Sequence, residues 1–131
     1  MIFTEFLTVY LFGSVLYGSI EILYRGYTHW TMLILGGLCF SVMYLLSGTS
    51  LPFMARLVLS ALIISVLEFG TGYVVNIILG WQVWDYSSQP LNILGQVCPA
   101  YSFIWFLLSV PGMSMCWFLR HAIPVLFRSP A

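Results

Sequence analysis

Hydrophobic residues fill four long stretches of this chain, and shorter, more polar segments separate them. The stretches cover about residues 6–24, 30–46, 54–79 and 92–117. Each is long enough for a helix that crosses the hydrocarbon core of a bilayer, which takes roughly 20 residues. The pattern therefore predicts an all-α fold, a polytopic bundle of four transmembrane spans.

The connections pair the predicted spans into two antiparallel hairpins. Residues 26–30 leave room only for a tight turn, and Thr28 is a candidate N-cap of the second helix. Turn-forming residues at 47–52 end the second span. We therefore expect residues 1–131 to form a single transmembrane domain, with a tail over residues 119–131 that lies along the membrane interface.

The longest polar interruption is the segment 81–98, which reads WQVWDYSSQPLNILGQVC. Its mixture of Trp, Tyr, Asp and Pro is typical of chain that emerges at a lipid headgroup layer. Asn92 is placed to cap the amides at the start of span four. This 81–98 segment is the first candidate for a recognition surface.

Two similar hexamers raise the possibility of an internal duplication. Residues 34–39 read ILGGLC and residues 93–98 read ILGQVC, each near the start of an even-numbered predicted span and behind a span that carries an acid. Repeated helix units are common in transporters. The hexamer match alone is about what chance provides in a chain of this composition.

The composition excludes a water-soluble domain. Hydrophobic residues make up 61% of the chain and charged residues 6%, whereas soluble domains carry roughly 25% charged residues. The net charge is zero, so no nucleic-acid partner is expected. No basic segment precedes the first apolar stretch, so we expect it to remain as a span and not to be cleaved as a signal peptide.

The arginines predict an orientation in the cell membrane. With four spans, both termini share one side with Arg56, Arg120 and Arg128, and Arg25 lies on the other. The positive-inside rule then places both termini of this multi-pass protein in the cytoplasm and the 81–98 segment outside.

Glu68 is the sharpest candidate for a functional residue. It lies about 12 residues, or roughly 18 Å of helix, beyond Arg56 and so near the middle of the membrane. An ionised carboxylate there is costly unless it is paired or reached by water. It is a candidate site for a proton, a cation or a cationic substrate group. The alternative is a neutral carboxyl that fastens helices through Asn76 or a tyrosine.

Two further groups of polar residues are candidates for the same site. Glu21, Arg25 and His29 recur at four-residue steps and would form one stripe on a continuous helix, as the wall of a cavity shared with Glu68 or Asp85. Alternatively, Arg25 only neutralises Glu21, and His29 is a turn residue. Asp85 and Tyr86 are candidates for ligand recognition, or Asp85 accepts backbone amides in a turn.

Known catalytic and cofactor motifs are missing from the sequence. No CxxC or HxxxH spacing indicates a metal site. No nucleophile elbow and no phosphate-binding loop is present either. No catalytic residue, metal or cofactor is therefore expected.

Several short motifs together resemble one family. They are HWTM at residues 29–32, LEF at 67–69, WDYS at 84–87, and the series Pro90, Asn92, Gly95 and Cys98. The chain is similar over about residues 18–109 to the ABC-transporter type IV family, also called CmpB-like, whose members are small polytopic membrane proteins. The resemblance implies a permease-like component that acts with a separate ATPase subunit.

We predict a small transporter or permease-type subunit with an intramembrane acidic site for an unidentified solute or ion. The candidate binding residues are Glu68, Glu21, Arg25, His29, Asn76, Asp85, Tyr86 and Asn92. Four helices barely enclose a path, so a homo-oligomer or a partner membrane or ATPase subunit is expected within the lipid bilayer. Two alternatives stay open: an intramembrane enzyme acting at the lipid interface, and a structural or regulatory subunit.

Overall fold

The computed structural model describes residues 2–126 and contains four long helices in this range. Helix α1 spans Ile2–Arg25, α2 Trp30–Ser47, α3 Phe53–Gly72 and α4 Pro99–Leu126. Helix α3 continues as a π-helical segment, Tyr73–Ile78. All four helices are long and apolar enough to cross a membrane, so the predicted all-helical, four-span fold is confirmed.

The turn between α1 and α2 differs from the prediction in its capping residue. Gly26 follows α1 with φ +83°, a conformation that glycine adopts without strain. The N-cap of α2 is His29 and not Thr28, because His29 directly precedes the first helical residue and its Nδ1 accepts from the amide of Thr31 at 3.2 Å.

Helix α4 begins later and ends later than predicted. It starts at Pro99, where the missing amide costs nothing in the first turn, and not near Asn92. It continues through Leu126 because Leu119 and Ile123, one turn apart, are both buried in the bundle. The prediction of an interfacial tail from residue 119 is therefore wrong up to Leu126. Arg128 lies outside the described residues.

Helix α2 is the centre of the bundle. It packs on α1, α3 and α4, and α3 also packs on α4, whereas the backbones of α1 and α4 stay apart and these two helices meet through long side chains. Leu35, Cys39 and Tyr44 of α2 are almost completely buried. A groove therefore runs between α1 and α4, and α2 forms part of its floor.

The two similar hexamers have different backbone structures. Residues 34–39 lie inside α2, whereas residues 93–98 lie in the connection before α4. There Leu94 and Gly95 have positive φ angles, and Ile93 pairs with Val97 in an isolated antiparallel bridge. The second hexamer does not start span four, so the similarity gives no support to an internal duplication.

Large apolar side chains are exposed on the outer faces of all four helices. Examples are Leu23 on α1, Leu45 on α2, Val66 on α3 and Phe118 on α4. Helices satisfy their own backbone hydrogen bonds, so such faces are stable against acyl chains. The chain is a multi-pass membrane protein.

Candidate functional site

The carboxyl group of Glu68 is buried in α3 with its two oxygens in unequal surroundings. Glu68 is 2% exposed. The Tyr86 hydroxyl and the Trp105 indole both donate to Oε2, each at 3.3 Å. Oε1 is buried and has no hydrogen-bond partner among the described residues. An ionised Oε1 lacks a donor there, and a protonated Oε1 lacks an acceptor, so this oxygen is one partner short in either state.

Glu21 and Arg25 form an ion pair one turn apart on α1. Glu21 Oε2 lies 2.6 Å from Arg25 Nε, a close contact without the alignment of a hydrogen bond. The Tyr17 hydroxyl donates to Glu21 Oε1 at 2.8 Å, and Arg25 Nη1 donates to the Val83 carbonyl at 3.1 Å. The two charges compensate each other, and Glu68 has no charged partner in the part of the chain that the structure describes.

The side chains of Glu21, Arg25 and Glu68 line one cavity of about 270 Å³ between α1 and α4, here called the polar cavity. The 81–98 segment contributes Trp84 and Tyr86 to its wall. Aromatic rings from the two helices supply much of the rest, namely those of Tyr17, Tyr24, Tyr101 and Trp105.

A stacked pair of rings separates the polar cavity from a second one. Tyr17 of α1 and Trp105 of α4 lie with ring centroids 5.6 Å apart and nearly parallel. Tyr17 reaches this position because Gly36 of α2 has no Cβ, which would overlap the tyrosine. Both rings also line an apolar cavity of about 90 Å³, which continues toward Gly13 and Met115. The pair therefore marks the boundary between polar and apolar space.

Asn76 anchors the 81–98 segment and has no direct hydrogen bond to Glu68. Its Oδ1 accepts from the Val83 amide at 2.6 Å, and its Nδ2 donates to Gln96 Oε1 at 2.8 Å. The Trp84 indole donates to the Gln96 carbonyl at 3.1 Å. These bonds hold Trp84 against the polar cavity.

The end of α3 is shaped to receive this segment. The π-helical residues Tyr73–Ile78 follow Gly72 directly, and π segments inside helices are frequent at functional sites. A Cβ at Gly72 would overlap the side chains of Gln96 and Trp84. Glycine there allows the segment to pack closely on α3.

Tyr86 joins the 81–98 segment to two helices. Its ring stacks on Tyr101 of α4 with centroids 4.4 Å apart, while its hydroxyl contacts Glu68 of α3. Burial, and then the nearby Glu68 carboxyl group, raise the pKa of the Tyr86 hydroxyl above its ordinary value. The hydroxyl therefore remains a hydrogen-bond donor at neutral pH.

Two predicted site residues of the same segment do not line the polar cavity. Asp85 is exposed, and its Oδ1 accepts from the Ser87 amide at 2.9 Å, which lowers the pKa of the carboxyl group. Asn92 donates to the carbonyls of Ser87 and Gln89 and accepts from the Gly95 amide. Asn92 thus closes a turn inside the segment, and the prediction that it caps α4 is wrong because α4 starts at Pro99.

His29 also lies away from the polar cavity. Helix α1 ends at Arg25, so His29 does not extend the stripe that Glu21 and Arg25 form. Its ring packs against Trp30 and Trp81, with centroids 5.5 and 5.9 Å away. The stripe predicted from four-residue spacing is therefore interrupted by the turn.

The polar cavity combines one carboxyl group that lacks a charged partner among residues 2–126, one neutral ion pair and several aromatic side chains. Within residues 2–126, the His, Cys, Asp and Glu side chains form no group of three that could hold a metal ion. A buried carboxyl group can take up a proton or a cation, and aromatic faces attract cations.

Sequence reasoning did not identify Tyr17 and Trp105 as site residues. Tyr17 precedes Glu21 by four residues, and this spacing was a usable signal that both lie on one face of α1. Trp105 had no comparable signal, because its neighbours in the cavity come from other helices.

The sequence model of the family described as "Putative ABC-transporter type IV" matches residues 3–127 of this chain. No curated protein and no solved structure matches it.

Proposed function

The chain belongs to the ABC-transporter type IV family, and from this premise we propose that it is a membrane transport component that binds a proton or a cation at Glu68. The observation that carries the proposal is the carboxyl group of Glu68. It is buried between helices, one of its oxygens has no partner among the described residues, and it lines the polar cavity.

The energetics of the bilayer support this role. An acidic side chain within a span is costly, and such residues commonly mark the path of an ion or a proton. A residue that served only to fasten helices would have partners for both oxygens, since unpaired buried polar groups are destabilising. A cation at Oε1 supplies the missing partner, and a proton there removes the buried negative charge.

The proposal includes an orientation and a partner. Arg56 and Arg120 lie at the end of the bundle that also carries Glu5, whereas Arg25 at the other end is paired with Glu21. The positive-inside rule then places both termini in the cytoplasm. The chain has no phosphate-binding loop, so ATP-driven transport would require a separate ATPase subunit or a larger assembly.

Reconstituted protein tests the proposal. Purified full-length chain is placed in liposomes, where we expect it to carry protons, measured with an enclosed pH-sensitive dye, or to discharge an applied K⁺ gradient. Glu68→Gln should abolish this ion movement. Glu5→Gln is the matched control, because Glu5 lies at the opposite end of the bundle and accepts from the Tyr44 hydroxyl. Wild-type chain that moves neither ion, or Glu68→Gln chain that moves them at the wild-type rate, contradicts the proposal.

A structural subunit is the second candidate, and the two hydrogen bonds to Glu68 favour it. Through Oε2, Glu68 links α3 to Tyr86 and to Trp105 of α4. In this case Glu68→Gln would lower the melting temperature of the protein and leave ion movement unchanged.

A further inference from the structure

We propose, on the basis of the function proposed above, that the polar and apolar cavities form one binding site for a lipophilic organic monocation. The charged group of the ligand lies at Glu68, and its apolar part extends past the Tyr17–Trp105 pair into the groove between α1 and α4. The charge, the walls and the opening of the groove each support this assignment.

The charges of the polar cavity select a single positive charge. Glu21 and Arg25 compensate each other at 2.6 Å. Glu68 has neutral donors on Oε2 and nothing on Oε1 among the described residues. Arg25 also keeps a buried Nη2 that has no hydrogen-bond partner within residues 2–126, but its charge is already balanced by Glu21. One monocation therefore completes the charge balance, because a buried charge is stabilised by one opposite charge close to it.

The walls of the polar cavity indicate an organic cation and not a hydrated metal ion. The stacked pairs Tyr17–Trp105 and Tyr86–Tyr101 contribute to the same cavity as Glu68. Aromatic faces attract organic cations through the quadrupole of the ring and also provide apolar contact. An inorganic metal ion would instead require several oxygen ligands to replace its water shell.

The shape of the groove indicates an apolar tail. The polar cavity of about 270 Å³ is close to the lower end of small-molecule sites, which have roughly 300 to 1,000 Å³. The apolar cavity shares four lining residues with it, namely Tyr17, Ile20, Trp105 and Leu108. A ligand with a charged group and an apolar part fits a polar cavity that adjoins an apolar one.

The groove is open toward the lipid between α1 and α4. Ile20 of α1 and Ile104 of α4 both line the polar cavity and are 38% and 41% exposed. At the loop end, the hydroxyl groups of Tyr24 and Tyr101 lie 3.3 Å apart and connect the two helices. A lipophilic ligand can therefore enter from the bilayer between Ile20 and Ile104, on the side of this contact that faces the membrane interior.

Three ions that differ in the sign of their charge or in their aromatic bulk test the proposal. Their binding is measured on the purified full-length chain in dodecyl maltoside, with empty micelles as the reference. Tetraphenylphosphonium is the lipophilic monocation, tetraphenylborate is an anion of nearly the same shape, and tetraethylammonium is a cation without aromatic bulk. We expect tetraphenylphosphonium to bind at least about tenfold more tightly than either of the other two in equilibrium dialysis. It alone should raise the melting temperature.

Variants assign the binding to Glu68. Glu68→Gln should weaken tetraphenylphosphonium binding about ten- to a hundredfold, which is the range expected for the loss of a charge-assisted contact. Glu5→Gln should bind as the wild type does. The melting-temperature shift of the wild type needs no variant, so the proposal remains testable even if Glu68→Gln does not fold.

Each other outcome overturns the proposal. Equal binding of the cation and the anion means that the groove only accommodates apolar material such as acyl chains. Tighter binding of tetraphenylborate means that the unpaired Arg25 donor dominates. Equal binding of tetraethylammonium and tetraphenylphosphonium removes the apolar part of the assignment. Glu68-dependent ion flux without charge-selective binding overturns only the ligand class, and charge-selective binding without flux overturns only the transport proposal.

Discussion

Two polar clusters lie at opposite ends of the bundle and connect their charges differently. The terminal cluster consists of Glu5, Tyr44, Ser47 and Arg120. The Tyr44 hydroxyl donates to Glu5, and Arg120 donates to the Tyr44 carbonyl and the Ser47 hydroxyl, with its guanidinium 4.1 Å from the centroid of the Tyr44 ring. An acid on α1 and a base on α4 are thus joined through α2.

The loop-end cluster consists of Glu21, Arg25, Glu68 and Tyr86, and its charges do not join α1 to α4. Glu21 pairs with Arg25 on the same helix. Glu68 has two hydrogen bonds on one oxygen and no partner on the other among the described residues. Similar residue types therefore fasten three helices at one end and line a cavity at the other. The difference lies in whether the opposite charges belong to one helix or to several.

The largest effect on stability is expected from Arg120→Ala in the terminal cluster. The change removes the Arg120 donor from the Tyr44 carbonyl, which keeps only the Ser47 hydroxyl as a side-chain donor, and it removes the donor to that hydroxyl and the cation over the Tyr44 ring. We expect a loss of about 2 to 3 kcal/mol in the free energy of unfolding, measured by thermal or denaturant unfolding in detergent. His121→Ala is the control, because the neighbouring His121 is exposed on the same helix. Equal stability of the two variants would show that the terminal cluster does not fasten the helices.

A loss of similar or smaller size, about 1 to 3 kcal/mol in the free energy of unfolding, is expected from Gly36→Ala at the boundary between the two cavities. The new methyl group overlaps Tyr17 and pushes it away from its stacked position on Trp105. Unfolding in detergent gives the stability, and tryptophan fluorescence reports the change around Trp105.

The matched control for Gly36→Ala is Gly70→Ala. Gly70 lies inside α3 with open space where the Cβ would be, so alanine should stabilise the helix by up to about 1 kcal/mol. If Gly36→Ala were as stable as Gly70→Ala, the position of Tyr17 would not depend on close packing against α2.

Glu68→Gln should change the free energy of unfolding by no more than about 1 kcal/mol while it abolishes ion movement in liposomes. Glutamine can keep an oxygen in the Oε2 position for Tyr86 and Trp105, and it removes the unmatched charge. A stability loss as large as that of Arg120→Ala, with normal ion movement, would make both clusters structural.

The smallest effect is expected from Asp85→Asn. The Ser87 amide holds the pKa of Asp85 below its ordinary value of 3.8, so the ionised group stabilises the fold above that value. This contribution is lost as the pH falls through the lowered pKa. Asp85→Asn should therefore melt slightly below the wild type at pH 7, and the difference should disappear in strong acid. Loss of ligand binding in this variant would place Asp85 in the site and enlarge the loop-end cluster.

Part of the candidate site followed from local spacing and part did not. Glu21 and Arg25 are four residues apart on one helix, and their pairing was predicted and is observed. The structure places Glu68 and Tyr86 at the same cavity. His29, Asp85 and Asn92 were separated from it by turns whose exact geometry no periodic pattern describes.

The number of spans, their helical structure and their membrane environment follow from the amino-acid sequence alone, because each depends on the apolar length of one continuous stretch. The polar groups that meet in the folded chain are known from the three-dimensional packing and not from the sequence pattern. Gly72 admits Gln96 and Trp84, and Asn76 binds the 81–98 segment. The separation of α1 from α4 then leaves space beside Glu68. Contacts between distant parts of the chain depend on how side chains of several elements fit together, and the pattern of any one element does not specify that fit.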